Sequence, residues 1–313
     1  MRIASYEDIS QVAENLSQLS QPEKKPFFSV ITPSWNQGKF LVGCINSVLA
    51  QGDPDFEHLI FDNCSTDETA NVAAEFSHVR FFSEKDRGQS DAVNKGLRAA
   101  QGEIICWLNS DDEYAPEAFA ALRREFENPN RNVVYGDVRQ VGYDGASDVL
   151  ADARFESRLD FVRWWSGRVK LHQPAVFFRR TVLEKTGLLR ENLHYAMDYE
   201  FWWRMSEHFD FKYMRKVLAV QHRQPDSKTI MAWRNVLMER ERIFSPHYAL
   251  LGEGGQLAKE KSLALSKIYL DQAYAVAALR PAQALGLMFR SLAEWPMSFW
   301  GLHWAGVARR VLG

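Results

Sequence analysis

The run Cys106-Trp107-Leu108-Asn109-Ser110-Asp111-Asp112 carries an apolar segment straight into two adjacent acids. Paired carboxylates offer hard oxygen ligands. These suit Mg2+ or Mn2+, cations that keep several waters and take one or two protein carboxylates beside substrate phosphate oxygens. The chemistry on offer is a divalent cation holding a diphosphate. The same acids also have a purely structural reading, in which Asp111 or Asp112 caps a helix starting near Pro116 and Glu113 favours its first turn. Further polar side chains with chemical potential follow other apolar runs: Pro33-Ser34-Trp35-Asn36, Asp62-Asn63-Cys64-Ser65-Thr66-Asp67, Asp86-Arg87-Gly88-Gln89-Ser90-Asp91 and Met197-Asp198-Tyr199-Glu200.

The elements that must position these residues are legible in the hydropathy pattern. Apolar segments at Phe27 to Thr32, Leu59 to Phe61, Val79 to Phe82 and Glu103 to Leu108 read as strands, with Pro33 breaking the first. Between them come helical spacings such as Phe40, Leu41, Cys44, Ile45, Val48 and Leu49, with Ser65 or Thr66 placed to cap the second helix. Strands alternating with helices predict a parallel sheet covered on both faces. Right-handed crossovers return each strand in the same direction, so every polar loop falls on the edge beyond the strands' carboxyl ends. Pro33 to Asn36, Asp62, Arg87 to Asp91 and the acidic pair converge there with no motif assumed.

The second half is less regular. Val133 to Val138, Pro174 to Phe178 and Val217 to Val220 read as strands, and Met197 to Met205 as an acid-capped helix with an aromatic body. Residues 1 to 26 carry a weak helical stripe (Ile9, Val12, Leu16, Leu19) and end in Gln21-Pro22-Glu23-Lys24-Lys25-Pro26, an extension plus linker. The expected division is 1–26 extension, 27–230 catalytic domain and 231–313 helical C-terminal region.

Composition bounds the class. With 46% hydrophobic and 25% charged residues over 313, the chain is globular. Its 38 basic residues nearly balance 40 acidic ones, which leaves no global electrostatic case for nucleic acid. The three cysteines, at 44, 64 and 106, form no CxxC pair, so a disulfide framework and a zinc site are both demoted and a reducing, cytoplasmic setting is expected. No secretory h-region opens the sequence, and no uninterrupted apolar stretch of about 18 residues occurs. No GxGxxG follows the first strand and no GxxxxGK[ST] occurs, which sets aside a Rossmann dehydrogenase and a P-loop NTPase.

Taken in order over residues 27 to 230, these loops resemble those of the family 2 glycosyltransferases. The resemblance implies a GT-A fold, a Rossmann-like, mostly parallel sheet flanked by helices. It also implies transfer of a sugar, with inversion, from a nucleotide-diphosphate donor to a glycan or lipid-linked acceptor, as in bacterial surface polysaccharide synthesis. It matches Pro33 and Trp35 to the loop that holds the nucleotide base, and Asp62 to an acid that accepts a hydrogen bond from it. Arg87, Gly88 and Asp91 match the third-loop signature on the nucleotide side, where Asp91 is equally well read as a first-turn helix acid. Asn109-Ser110-Asp111-Asp112 matches the metal-binding motif, with Ser110 and Asp111 at the nucleotide, Asp112 on the cation, and Asn109 standing where many members carry an acid. Asp198 matches the catalytic base, with Glu200 as its neighbour and competitor, and an N-cap role for Asp198 is compatible. His222 matches a late histidine that completes the metal shell, beside Arg223, Ser227 and Lys228, while His172-Gln173 resembles a pair near the acceptor. The alternative is a non-catalytic sugar-nucleotide-binding module. From Ala264 onward Trp295, Phe299, Trp300, Leu302 and Trp304 accompany Arg290, Arg309 and Arg310. Such a segment either caps the domain or lies peripherally on the inner face of the membrane.

Overall fold

The computed structural model describes residues 25–142, 148–223, 232–252, 254–276 and 281–294. The N-terminal stripe, Asp226 to Lys228 and the aromatic run from Trp295 lie outside the described residues.

The first half alternates as the hydropathy pattern requires: β1 (Phe28–Ser34), α1 (Gly38–Leu49), β2 (Phe56–Asp62), α2 (Thr69–Ala74), β3 (Val79–Ser83), α3 (Gln89–Ala99) and β4 (Ile104–Trp107). All pairings among these four strands are parallel, in the order β3-β2-β1-β4. Every residue of β1 and β4 is buried, the mark of a strand covered on both faces. Alternate residues part to the two sides: Ile104 and Cys106 pack with Phe119 and Leu122, whereas Ile105 and Trp107 pack with Val93, Phe201 and Trp202. α1 has no side-chain cap at its start. That absence costs about 1 kcal/mol, less than the roughly 1.5–3 kcal/mol each supplied by burying Leu41, Ile45 and Val48.

Beyond β4 the sheet turns mixed. β5 (Asp112–Tyr114), β6 (Val133–Gly142), β7 (Asp148–Ala151), β8 (Val176–Arg179) and β9 (Phe211–Arg223) extend it through β8-β6-β9-β5. There only β6 and β9 run parallel, and β4–β8, β6–β8, β6–β7 and β5–β9 are antiparallel. Between these strands lie α4 (Ala118–Phe126), α5 (Arg158–Val162), α6 (Leu183–Thr186) and α7 (Met197–Met205). Then follow α8 (Trp233–Phe244), α9 (Gly254–Val276) and α10 (Pro281–Glu294). Ile243 and Phe244 of α8 pack in the same core cluster as Tyr199 and Trp203. Among the described residues no helix is long and apolar enough to cross a membrane.

Two local expectations change. β1 does not break at Pro33: it runs on to Ser34, paired with Phe61 and Asp62 of β2. β4 pairs with β1 only as far as Ile31, so Pro33 sits where β1 has become an edge on that side, the setting that tolerates a missing N–H. Ser65 and Thr66 do not cap α2, whose N-cap is Glu68 without a side-chain bond. Asp67 instead takes N–H groups from Thr69 at 3.1 Å and Gly38 at 3.0 Å, joining the starts of α1 and α2.

Candidate functional site

A cleft of about 960 Å³ opens beyond the carboxyl ends of β1 and β4. Its walls bring together Pro33, Trp35 and Lys39 from the first loop and helix, Asp86, Gly88 and Gln89 from the third, Asn109, Asp111 and Asp112 after β4, Gln173, Met197 and Asp198, and Gln221 and His222 at the end of β9.

The acidic pair is placed by a strand, which overturns the helix-cap reading. Asp112 opens β5 and pairs with Gln221 of β9, and α4 begins later, with Glu117 as its N-cap. Asp112 is buried, and the His222 backbone N–H and the Asn109 side chain near its carboxylate both favour the ionised form. Burial first, and the Asp111 charge second, push the Asp112 carboxyl well above the usual carboxylate range. An anion held under that strain fits a cation. The cleft adds Asp86, whose carboxyl is also raised, chiefly by burial. Among the described residues no three His, Cys, Asp or Glu side chains cluster closely enough to hold a metal alone. The carboxylate oxygens of Asp111 and Asp112 are hard donors of the kind that suit a cation sharing its shell with phosphate oxygens and water.

Asn109 is the hub of this floor. Its Oδ1 accepts from Gln89 Nε2 at 2.9 Å and from Trp107 Nε1 at 3.1 Å, and its Nδ2 donates to Gln173 Oε1 at 2.9 Å. Gln173 Nε2 in turn donates to the Trp107 carbonyl at 2.6 Å. Those bonds fix which end of each amide points where.

Trp35 stands 64% exposed on the cleft wall, so its ring face is open to a ligand. Asn36 beside it adopts φ 51°, with its N–H donating to Ser65 Oγ at 2.7 Å and its Oδ1 accepting from Thr66 N at 2.9 Å. Gly88 has φ 120°, a backbone that a side chain would strain.

Asp198 lies at the second position of α7, whose N-cap is Ala196, so it does not cap that helix. Its carboxylate accepts from the Tyr199 N–H at 2.7 Å, and burial raises its carboxyl above the ordinary value. Glu200, the competitor, is fully buried and ion-paired to Arg204 at 2.8 Å and Arg190 at 3.0 Å, away from the cleft. That commits it to packing.

Four sequence-derived candidates lie outside the cleft lining. Asp62 is buried and accepts from Ser65 N at 2.9 Å, Ser83 Oγ at 2.8 Å and Ser65 Oγ. Arg87 reaches outward to Glu191 and Asp91, and Asp91 takes the Arg87 N–H at 3.0 Å, which is the helix-start role. Ser110 Oγ donates to the Pro33 carbonyl at 2.8 Å, tying the acidic turn to the end of β1. His222 lines the cleft, but its Nε2 lies 3.2 Å from Glu113 Oε1. Of His172-Gln173, only Gln173 reaches the cleft. Asp86, Gln89, Gln140 and Gln221 were not singled out from sequence. Of these Asp86 and Gln89 carried a signal, their place in the third-loop run.

The chain matches the sequence model of Glycosyl transferase family 2 over residues 29–187. A Rickettsia typhi protein described as an uncharacterized glycosyltransferase is 25% identical over 72% of this chain and 73% of its own. Chondroitin synthase of Escherichia coli is 28% identical over 62% of this chain and 29% of its own. Among solved structures, the mannosyltransferase PcManGT of Pyrobaculum calidifontis, in complex with GDP-Man and Mn2+, superposes with a TM-score of 0.53 at 18% identity, covering 97% of this chain and 92% of that one. This likeness confirms the GT-A fold.

Proposed function

The chain belongs to glycosyl transferase family 2, and from that premise we propose that it moves one sugar from a nucleotide-diphosphate donor to a glycan or lipid-linked saccharide with inversion, in bacterial surface polysaccharide synthesis. The observation that carries this reading is the meeting in one cleft of an exposed aromatic ring, an acidic pair whose Asp112 is strained by burial, and a carboxyl of raised proton affinity.

Trp35 stacks on the base, while the Pro33 and Gly88 backbone lets the nucleotide approach closely. Asp62, Arg87, Asp91 and Ser110 act one layer back, holding the loops that meet the nucleotide. Asp111 and Asp112 would hold a divalent cation, Mn2+ or Mg2+, with His222 beside them at the end of β9 as a further donor. When bound, that cation offsets charge building on the departing diphosphate, an effect of several kcal/mol. Asp198 takes the proton of the acceptor hydroxyl as that oxygen attacks the anomeric carbon. A carboxyl raised by burial is the better base near neutral pH, because its proton affinity lies closer to that of the group it serves.

The catalytic domain would span 27–230, and of the C-terminal region α8 packs against it through Ile243 and Phe244. At the cytoplasmic face of a membrane, Leu285 and Phe289, exposed on α10, would meet the lipid surface. Calorimetric titration of UDP, GDP, CDP and dTDP, each with and without Mn2+, tests the donor site. One nucleotide is expected to bind in a metal-dependent manner, and failure of all four in folded protein overturns the reading in favour of a non-catalytic module.

A further inference from the structure

The segment that delivers Asp198 to the cleft is held from outside by α8. Three consecutive backbone N–H groups ahead of α7 donate to the Glu239 carboxylate: His194 at 2.8 Å, Tyr195 at 2.8 Å and Ala196 at 2.9 Å. The N-cap, Ala196, has no side chain that could accept a bond, so Glu239 supplies from another helix what the local sequence lacks. The carboxylate sits where the positive end of α7 favours an anion. Further grips come from the same helix. Asn235 Nδ2 donates to Tyr195 Oη at 3.0 Å, Arg242 Nη2 donates to the Asn192 carbonyl at 3.2 Å, and the Arg240 guanidinium lies 4.4 Å from the Tyr199 ring centroid.

The gripped segment is the one that matters to the cleft. His194, Tyr195, Met197 and Asp198 all line it. His194 also abuts the Gly88 turn, since a Cβ built on Gly88 would stand 3.5 Å from His194 Nδ1. The helix is itself anchored, with Ile243 and Phe244 buried in the core. None of α8 falls within the matched span of the family, 29–187.

We propose that α8 is a clamp in which Glu239 is the positioning residue for Asp198, holding the 194–196 backbone so that the base carboxylate meets the acceptor hydroxyl. The proposal rests on the reading of Asp198 as the base. The charges around that carboxyl agree with it. After burial and the Tyr199 N–H, Arg240 lowers the proton affinity of Asp198, the residue's own backbone N–H lowers it further, and Glu239 raises it, so that both charged neighbours among these influences stand on α8. On its own helix, Glu200 is turned away into Arg190 and Arg204. Lys39, Asp86, Asp111, Asp112, His194 and Tyr195 are the remaining titratable groups that line the cleft with Asp198, beside His222.

The signs separate the clamp from simple packing. Loss of the Glu239 charge eases ionisation of Asp198, so its midpoint moves to lower pH, while loss of the Arg240 charge moves it to higher pH. The test uses the full chain with Glu239→Gln, Arg240→Gln and Asp198→Asn. Carbon-13 carboxyl titration, assigned by the signal lost in Asp198→Asn, reads the midpoints, and hydrogen exchange reads the 194–196 amides. Opposite shifts are expected, together with exchange at 194–196 at least about tenfold faster in Glu239→Gln and unchanged exchange in β1 and β4. Midpoints that stay put, or that move the same way, overturn the clamp, as does undisturbed exchange at 194–196. Nucleoside diphosphate release from a panel of UDP- and GDP-sugars reads the base separately. Asp198→Asn turning over like the wild type would overturn the base reading alone. With that reading intact, Glu239→Gln is expected to lower kcat by about ten- to a hundredfold at unchanged donor KM.

Discussion

Asn109 Nδ2 stands 2.9 Å from Gln173 Oε1, and the same Asn109 amide reaches the Asp112 carboxylate. Neutral donors thus occupy the one place on the cleft floor where a third acid would crowd the pair. Asn109→Asp replaces a donor by an acceptor against two acceptors. A loss of about 1–3 kcal/mol is expected in urea unfolding without divalent cation. Wild-type stability in that variant would mean the amide network is not locked.

Asp198→Asn keeps the size of the side chain and an acceptor for the Tyr199 N–H but removes the base. Turnover should fall by about 10²–10⁴-fold, with nucleoside diphosphate affinity unchanged by calorimetry.

The wild-type pH profile follows from the same carboxyl. Burial raises the Asp198 pKa above its ordinary value, so the group is protonated and inactive to a higher pH than a solvent-exposed aspartate. The kcat should fall as pH drops through that raised value, and the acid limb should lie above the usual carboxylate range. The stability contribution runs the other way. A carboxyl raised in the folded state favours folding below its unfolded pKa, and that contribution is lost as pH rises through the folded value.

Mn2+ should raise the melting temperature in the presence of a nucleoside diphosphate. The gain corresponds to about 2.7 kcal/mol at a hundredfold excess over Kd. Asp112→Asn should lose most of that gain in differential scanning fluorimetry while folding normally.

Trp35 is 64% exposed, so its removal costs the fold little. Trp35→Ala should weaken the preferred nucleoside diphosphate by about 1–3 kcal/mol, the worth of stacking one base on an aromatic ring, with no change in melting temperature. Equal affinity would remove the ring from the donor site.

Continuous apolar runs and helical spacings carried the first half of the sheet, because β1 and β4 are buried on both faces and the four strands are joined by helical crossovers. Asp111, Asp112, Gly88 and Trp35 reached the cleft for the same reason, since each follows a strand whose direction the alternation dictates, whereas Asp198, in the less regular second half, was reached through the family resemblance alone. What escaped was set by long-range pairing. β5 is three residues long and exists because β9 pairs with it, so the acids after β4 could be read as a helix start. Asp62 looked like a ligand group, but Ser65 and Ser83 satisfy its carboxylate, and Ser83 belongs to another strand. Glu239 is one more acid in a charged helix until the backbone it serves is known.

Asp112 pairs with Gln221 across β5 and β9, and this has a consequence for synthesis. On the ribosome the first four strands can emerge and associate well before β9 exists. The acidic pair then hangs on a tether without its partner strand, and His222 has not yet brought its N–H near the Asp112 carboxylate. A nascent chain would thus hold a formed nucleotide-side wall and an unformed metal side. The metal side would form late, when the last strand slots between β6 and β5, and the grip of α8 on the Asp198 segment would come later still.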